Sequence, residues 1–306
     1  MSASIQDVVV SPPAVGRRNG ARRPTIEWQV CGHCNYDCSY CIQSRKFRQG
    51  HPGDDEIEGF LSFFYALPGT WEIKMSGGEP FSFRGFMDRI VPGLAETRHD
   101  VSVLTNFSAP LPVLSRFVQL VGHKLKVFSA SLHLEYVQAE EFARKAAEFK
   151  SWLSPETAFV INNVLVPGTV RGLEAVRETI TRAGLKYFPQ VMKTKMGTFD
   201  YAEEERVAVR RLVGISPSPR DANLAPSYRG RRCWTGVEYF TLSQWGDAYS
   251  CRTAKRYGEG YMGNVLDGTF SLRAEPRRCP YDICPCTVPA NRGMIEGVGQ
   301  AGKEAE

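Results

Sequence analysis

Short apolar runs alternate with longer amphipathic stretches through the first two thirds of the chain. Runs rich in β-branched and aromatic residues predict strands, whereas apolar residues at helical spacing predict helices between them. Strands that alternate with helices pair in parallel through right-handed crossovers, so the pattern predicts an α/β fold. The six predicted strands are Thr25–Val30, Trp71–Ser76, Val101–Thr105, Lys126–Ser131, Ala158–Val166 and Lys186–Met192.

Amphipathic stretches predict the connecting helices, among them Ile57–Tyr65, Glu140–Leu153 and Gly172–Ala183. The first of these follows the acidic run 54–56, which suits the positive end of a helix dipole. Six strand–helix units fall short of the eight that close a full barrel. In barrels of this kind the chemistry lies at the C-terminal ends of the strands, so the segments after each strand are where functional residues are expected.

Composition indicates a soluble globular protein of one large domain or a large and a small one: 306 residues, 42% hydrophobic, with no apolar run long enough to span a bilayer. The net charge of +5 is modest. Residues 1–24 read as a disordered basic leader with arginines at 17, 18, 22 and 23. No aromatic residues interleave with these arginines, so a nucleic-acid partner is not expected. The absence of a secretory pattern predicts a cytoplasmic protein without a membrane partner.

Three cysteines follow the first predicted strand in the run Cys34-Asn-Tyr-Asp-Cys38-Ser-Tyr-Cys41. Clusters of four irons normally take four thiolates, so three thiolates on one loop can hold three corners and leave one iron open. A structural zinc site would usually pair two C-x2-C knuckles, or one knuckle with histidines. His33 lies beside the run, so zinc remains an alternative.

A glycine pair ends the second predicted strand in the run Ser76-Gly77-Gly78-Glu79-Pro80. Glycines let a backbone approach a ligand closely, although this tetrapeptide alone would be read as a plain turn. After a C-x3-C-x2-C loop and at a strand end, the combination resembles the radical SAM superfamily. The resemblance implies a partial (β/α)6 TIM-type barrel over residues 25–196, with S-adenosylmethionine bound at the open iron.

The resemblance also implies where cofactor and substrate contacts lie. S-adenosylmethionine would meet Tyr40 and the run Gly77, Gly78, Glu79 and Pro80. Further cofactor contacts are expected at the ends of later strands, at Thr105, Asn106, Ser129, Ser131, His133, Asn163 and Met192. For His133, a purely structural role is an equal alternative to a cofactor contact. Glu135, Tyr136 and Lys193 are expected to face the substrate.

Five more cysteines follow a polar connector over residues 197–232: Cys233, Cys251, Cys279, Cys284 and Cys286. The spacing Cys233-x12-Gly246-x4-Cys251 resembles the opening of SPASM and twitch auxiliary domains. The resemblance implies a small twitch-like domain over residues 233–296 with a second four-iron cluster, followed by a tail at 297–306. Structural zinc and inert thiols are the alternatives.

One four-iron cluster needs only four of these five thiolates, so one thiol is in surplus. A free thiol near the barrel mouth can give a hydrogen atom to a carbon radical. Cys251 is the candidate donor, because the other four would still complete a cluster. The spacing that resembles a twitch domain makes Cys251 a ligand instead, and the residues leave both interpretations open.

The predicted function follows from this resemblance. With S-adenosylmethionine and two [4Fe-4S] clusters, a 5′-deoxyadenosyl radical would abstract hydrogen from a polar small molecule, such as a sugar or an aminoglycoside-like compound. Epimerisation is favoured; oxidation of a secondary alcohol and modification of a peptide are alternatives. The architecture resembles small twitch enzymes of aminoglycoside biosynthesis, and a flavodoxin or ferredoxin is the expected electron donor. A non-enzymatic zinc or iron–sulfur module that contacts nucleic acid is an alternative from a different functional class.

Overall fold

A computed structural model describes residues 22–43, 45, 48–194, 197–213, 227–282, 284, 286 and 288–298. Most of the predicted leader and tail, and the middle of the connector, lie outside these residues. All six predicted strands are present, and they pair in parallel in chain order, so the predicted α/β class is confirmed. They are β1 (Thr25–Cys31), β2 (Glu72–Gly77), β3 (Asp100–Thr105), β4 (Leu125–Leu132), β5 (Ala158–Leu165) and β6 (Lys186–Val191).

Helices connect these strands as the amphipathic pattern predicts. They are α1 (Asp54–Ala66), α2 (Val91–Ala95), α3 (Leu111–Val121), α4 (Ala139–Lys150), α5 (Leu173–Arg182) and α6 (Glu203–Val213). A π-helical turn, Phe86–Ile90, precedes α2. The backbone N–H of Gly53 donates to the Glu56 carboxylate at 2.7 Å, which satisfies a donor at the start of α1. The predicted acidic start of α1 thus has a structural role.

The main core lies between the helices and one face of the sheet. Alternate residues of β1 point into it, so Trp28 packs on Phe60 and Phe64 of α1 at ring-centroid distances of 4.8 and 5.1 Å. Phe128 of β4 packs on Phe149 of α4 at 4.4 Å. The residues between these point to the opposite side of the sheet, which is called here the inner face.

The C-terminal region adds a hairpin to the same sheet. The strands after β6 are β7 (Lys193–Thr194), β8 (Gly197–Thr198), β9 (Arg232–Cys233), β10 (Tyr239–Leu242), β11 (Asp247–Tyr249), β12 (Tyr261–Asn264) and β13 (Arg277–Arg278), with short helices α7 (Arg252–Arg256) and α8 (Val288–Asn291). Only β10, β11 and β12 extend the main sheet, whereas β7 pairs with β8 and β9 with β13. β10 pairs in parallel with β1, and β11 and β12 follow antiparallel. The pairing of β10 with the edge strand β1 is not evident from the sequence. The predicted domain boundaries stay predictions.

A buried ion pair fixes the C-terminal end of the chain to the barrel. Arg292 donates to both carboxylate oxygens of Glu72 at 2.8 and 2.6 Å, and the two side chains are 2% and 0% exposed. Burial alone would raise the pKa of Glu72, but attraction to Arg292 and Lys74, together with the hydrogen bonds from Arg292 and Ser102, outweighs it and lowers the pKa to about 2. Ser102 of β3 donates to the same carboxylate at 2.6 Å. Across the described ranges, no helix is long and apolar enough to cross a bilayer.

Candidate functional site

The three-cysteine loop lies directly after β1, at the C-terminal end of the parallel strands. The backbone N–H of Tyr36 donates to the Cys34 sulfur at 3.4 Å, and the Asn106 amide, at the end of β3, approaches the same sulfur at 3.9 Å. Asn106 also donates to Asn35 at 2.9 Å. The end of β3 therefore orients the first thiol, and the contact of Asn106 with the cofactor stays a prediction.

The segment after β4 holds the cysteine loop from the other side. His133 Nδ1 lies 2.7 Å from the Tyr40 hydroxyl and 3.4 Å from the Cys38 sulfur. Burial raises the pKa of the Cys38 thiol to about 11, and the Glu135 carboxylate adds to that rise. His133 thus lies within the site, and it positions a predicted cluster ligand and a predicted cofactor contact together.

Glu135 and Tyr136 are placed differently from the prediction that they face a substrate. Glu135 accepts from the backbone N–H of Ser39 at 3.0 Å and from the Ser39 hydroxyl. The Tyr136 ring stacks on Tyr36 at 3.9 Å, and its hydroxyl accepts from the Asp37 backbone. Both side chains are committed to the cysteine loop, because the turn after β4 folds directly over that loop.

The glycine pair is needed because two backbones meet. A Cβ on Gly77 would lie 2.4 Å from the Cys31 carbonyl oxygen, and one on Gly78 would lie 1.9 Å from the His33 carbonyl oxygen. The Gly78 N–H donates to Cys31 O, and the Glu79 N–H to His33 O, each at 2.8 Å. The close approach was predicted for a ligand, but in the structure the partner of these glycines is the start of the cysteine loop.

Replacing Gly78 with alanine should therefore displace the cysteine loop. We expect a loss of about 3 kcal/mol in the free energy of unfolding, near the upper end of overpacking costs, together with loss of iron from the first site. Gly172→Ala is the matched control, because nothing lies within 4 Å of a Cβ there, and it should cost less than about 1 kcal/mol. Urea unfolding and iron analysis of both variants test this; equal behaviour would contradict it.

Glu79 is fully buried and connects the ends of β2 and β3. Its carboxylate accepts from the Thr105 hydroxyl at 2.8 Å and from the Asn106 backbone N–H at 2.6 Å. Burial raises its pKa to about 7 in spite of these hydrogen bonds. Pro80 is buried at the start of the following 3₁₀ turn. Glu79 and Thr105 therefore act as positioning groups, because the polar atoms of both side chains are already hydrogen-bonded within the protein.

Ser129 and Ser131 lie on the inner face of β4, as predicted from their alternation. In the β4–β5 register Ser131 is opposite Asn162, and Leu132 is opposite Asn163. Asn163 consequently points to the helix-packed face, where it donates to Leu132 O at 3.0 Å and accepts from the Tyr187 hydroxyl at 2.8 Å. Of the two neighbours, Asn162 is the one on the inner face with Ser131, and a cofactor contact on β5 stays a prediction.

Asn162 has an unused donor on the inner face. Its oxygen accepts from the Gln190 amide at 2.8 Å, but its Nδ2 is buried and has no hydrogen-bond partner among the residues that the structure describes. An unpaired buried donor is costly unless a ligand accepts from it, so this atom fits a polar group of a bound cofactor. Met192 lies just after β6 and is half-buried, with its backbone N–H donating to the Tyr201 hydroxyl at 2.8 Å.

Four of the five C-terminal cysteines line one cavity of about 270 Å³: Cys233, Cys251, Cys279 and Cys284. Burial raises the pKa of the Cys251 thiol to about 12, and its sulfur also accepts from the Ala254 N–H at 3.3 Å. In the part of the chain that the structure describes, no three His, Cys, Asp or Glu side chains converge tightly enough to hold a single metal ion. Four thiols spread around a cavity fit the larger cluster.

Cys286 is absent from that lining and lies against the inner face. Its thiol donates to the Glu27 carboxylate of β1 at 3.3 Å. The same carboxylate accepts from the Tyr239 hydroxyl and takes two hydrogen bonds from Arg252, each at 3.2 Å. Nothing in the strand pattern singled out Glu27, although a glutamate in the middle of a buried strand is itself an unusual feature.

Lys193 follows β6 and approaches the same region. Burial lowers its pKa to about 8, while the nearby thiols of Cys286 and Cys284 act in the opposite direction. The cysteine segment therefore lies near both β1, through Glu27, and the end of β6, through Lys193. That Lys193 faces a substrate stays a prediction.

Comparison with known proteins bears on this site. No protein-family model matches the chain. A probable GTP 3′,8-cyclase of Pyrobaculum aerophilum is 34% identical over 82 residues, which is 26% of this chain and 26% of the cyclase. The chain thus matches about a quarter of that relative's length.

Solved structures share the fold. The structure of anSMEcpe with bound AdoMet matches this chain with a TM-score of 0.55 at 16% identity. The match covers 80% of this chain and 78% of the anSMEcpe chain. The structure of Streptococcus suis SuiB bound to the precursor peptide SuiA matches with a TM-score of 0.53 at 12% identity. The match covers 82% of this chain and 65% of the SuiB chain. These structures show the shared fold, and the similarity to the cyclase is confined to about a quarter of each chain.

Proposed function

We propose that the chain binds a four-iron cluster through Cys34, Cys38 and Cys41 and uses S-adenosylmethionine to attack a carbon–hydrogen bond. The observation that carries this proposal is the position of the three-thiol loop, which is held between the glycine pair of β2 and His133 at the C-terminal end of the parallel strands. When bound, the cluster and S-adenosylmethionine supply a 5′-deoxyadenosyl radical.

The chain's own residues bind and orient this cofactor. Glu79 fixes the end of β3 against the end of β2, so the polar groups of the inner face are preorganised. Ser131 and the unpaired Nδ2 of Asn162 are offered as contacts to the nucleoside end. The stacked Tyr36 and Tyr136 rings hold the cysteine loop against the segment after β4.

A second four-iron cluster is proposed at Cys233, Cys251, Cys279 and Cys284. The shared cavity of these four supports this choice, and it leaves Cys286 as the surplus thiol in place of Cys251. Cys251 was the candidate hydrogen donor from the sequence. Its new assignment as a ligand agrees with the spacing that resembles a twitch domain.

Iron content separates these two cysteines. After anaerobic reconstitution we expect roughly eight irons in the natural chain and in Cys286→Ala, and roughly four in Cys251→Ala, because only the last loses a ligand of the second cluster. Loss of iron from Cys286→Ala would show that Cys286 is a ligand. Roughly four irons in the natural chain would show that the C-terminal cysteines hold zinc or nothing.

Epimerisation of a polar small molecule is the reaction that this arrangement favours. Cys286 reaches the inner face, and as its S–H bond breaks, a C–H bond forms on the face of the substrate radical opposite to the attack. Return of the sulfur to a thiol takes one electron from a flavodoxin- or ferredoxin-class donor and one proton from solvent. Glu27 accepts from the Cys286 thiol and holds it in place.

Turnover in heavy water tests the reaction. Epimerisation should place one solvent deuterium on the product carbon, whereas a product lighter by two hydrogen atoms would show oxidation of an alcohol with the second cluster as electron acceptor. Peptide modification is the remaining alternative, since SuiB is bound to a precursor peptide. A shared fold does not choose the substrate, so this alternative depends on assays with peptides.

A further inference from the structure

Arg273 is fixed against the turn that follows Cys233. Its backbone N–H donates to Gly236 O at 2.8 Å, and its guanidinium Nη1 donates to Thr235 O at 3.4 Å. The Gly236 backbone has a φ of +89°, and a Cβ there would lie 2.6 Å from Arg273 Cδ. The glycine therefore allows the left-handed turn and also leaves room for the arginine side chain.

This turn brings a guanidinium group to the cysteine cavity. Arg273 lines the same cavity as the four cysteines assigned to the second cluster. The Cys233 sulfur lies 3.4 Å from the Thr235 hydroxyl, in the turn that holds Arg273. Among the residues that the structure describes, Thr235 O is the single acceptor for this guanidinium, so most of its N–H donors are available to an anion in the cavity.

The other charged residues of the lining act on the cavity more weakly. Arg277 and Arg278 form the exposed strand β13, where water and salt screen their charges. The Glu259 carboxylate already accepts from the Tyr281 hydroxyl at 2.7 Å. Arg273 is half-buried by contrast, so its charge is screened less than those of β13.

We propose that Arg273 raises the reduction potential of the second cluster, so that a flavodoxin- or ferredoxin-class carrier can reduce it. Four thiolates make such a cluster an anion, and one-electron reduction adds a further negative charge. A nearby cation stabilises the reduced form more than the oxidised form, and hydrogen bonds to the cluster sulfurs act in the same direction. The inference rests on the proposed function, because it depends on the assignment of the four cysteines to this cluster.

A redox titration followed by electron paramagnetic resonance measures this potential. In the full chain with Cys34, Cys38 and Cys41 replaced by alanine, the signal comes from the second cluster alone. There we expect Arg273→Gln to decrease the equilibrium constant for one-electron reduction about tenfold, which corresponds to a potential lower by about 59 mV. Arg273→Lys keeps the charge and should recover most of that loss.

Arg277→Gln is the matched control, because it removes the same charge from an exposed residue of the same lining. It should change the equilibrium constant by less than a factor of about two. Arg273→Met is a second neutral variant whose unbranched side chain can still pack over Gly236, and it gives the result if Arg273→Gln does not fold. An unchanged potential in the neutral Arg273 variants, or an equal shift in Arg277→Gln, overturns the inference.

Iron content and cleavage of S-adenosylmethionine separate this inference from the proposed function. Loss of the second cluster's iron in both neutral Arg273 variants overturns the inference, since the arginine would then be needed to hold the cluster. Roughly four irons in the natural chain would refute the second cluster itself, and this inference with it. Failure of the chemically reduced natural chain to cleave S-adenosylmethionine refutes the function proposed for the first cluster, whereas intact cleavage with full iron content and an unchanged potential refutes only this inference.

Discussion

Replacing Cys38 with alanine is expected to abolish cleavage of S-adenosylmethionine, with loss of the iron bound near β1. Three thiolates hold the proposed first cluster, and removal of the central one leaves two. Cys38 is also the thiol that His133 contacts at 3.4 Å, so the substitution removes the link between the cysteine loop and β4. Formation of 5′-deoxyadenosine by the chemically reduced protein is the measurement.

Cys31→Ala is the matched control for this experiment. Cys31 lies three residues before Cys34, yet it is fully buried, and burial raises the pKa of its thiol to about 12. Its S–H points to the carbonyl oxygens of His33 and Glu79 at 3.5 and 3.6 Å. We expect Cys31→Ala to keep its iron and its cleavage activity. Normal turnover by Cys38→Ala, or the same loss in both variants, would refute the assignment of the first cluster.

Arg292→Ala should give the largest loss of stability among single substitutions considered for this chain. It leaves the Glu72 carboxylate buried with only the longer ion pair to Arg23, at 3.4 Å, and breaking the main pair of a buried charge costs about 3–5 kcal/mol. Urea unfolding under anaerobic conditions measures the change. Arg84→Ala is the control: Arg84 pairs with Asp88 at 2.9 Å, but its side chain is 94% exposed, so about 0–1 kcal/mol is expected. Similar losses in both variants would show that the Arg292 pair is not a special stabilising contact.

The six parallel strands and their helices could be predicted because each strand carries a strong local pattern. Trp28 and Phe128 point to the helices, and their neighbours point to the inner face. Such alternation can be recognised in a single sequence. The cysteine loop and the glycine pair could be found because their chemistry depends on short spacings. The pairing of β10 with β1 could not, since it depends on a contact between distant segments.

The placement of other site residues could not be predicted for the same physical reason. Asn162 and Asn163 are adjacent strand residues that differ in the face to which they point, and register decides the face. The contacts of Glu135 and Tyr136 with the cysteine loop could not be predicted, because no sequence pattern shows that the chain turns over that loop after β4. Cys251 was chosen over Cys286 because the spacing of thiols does not show which of them share a cavity.

The parallel pairing of β1 with β10 has a consequence for how the chain folds. Thr25 is paired with Tyr239, so one edge of the sheet joins segments separated by most of the sequence. Contacts of such long range slow folding, because the intervening chain must be ordered before they form. During synthesis β1 remains an open edge until β10 emerges, and an open edge invites pairing with other chains.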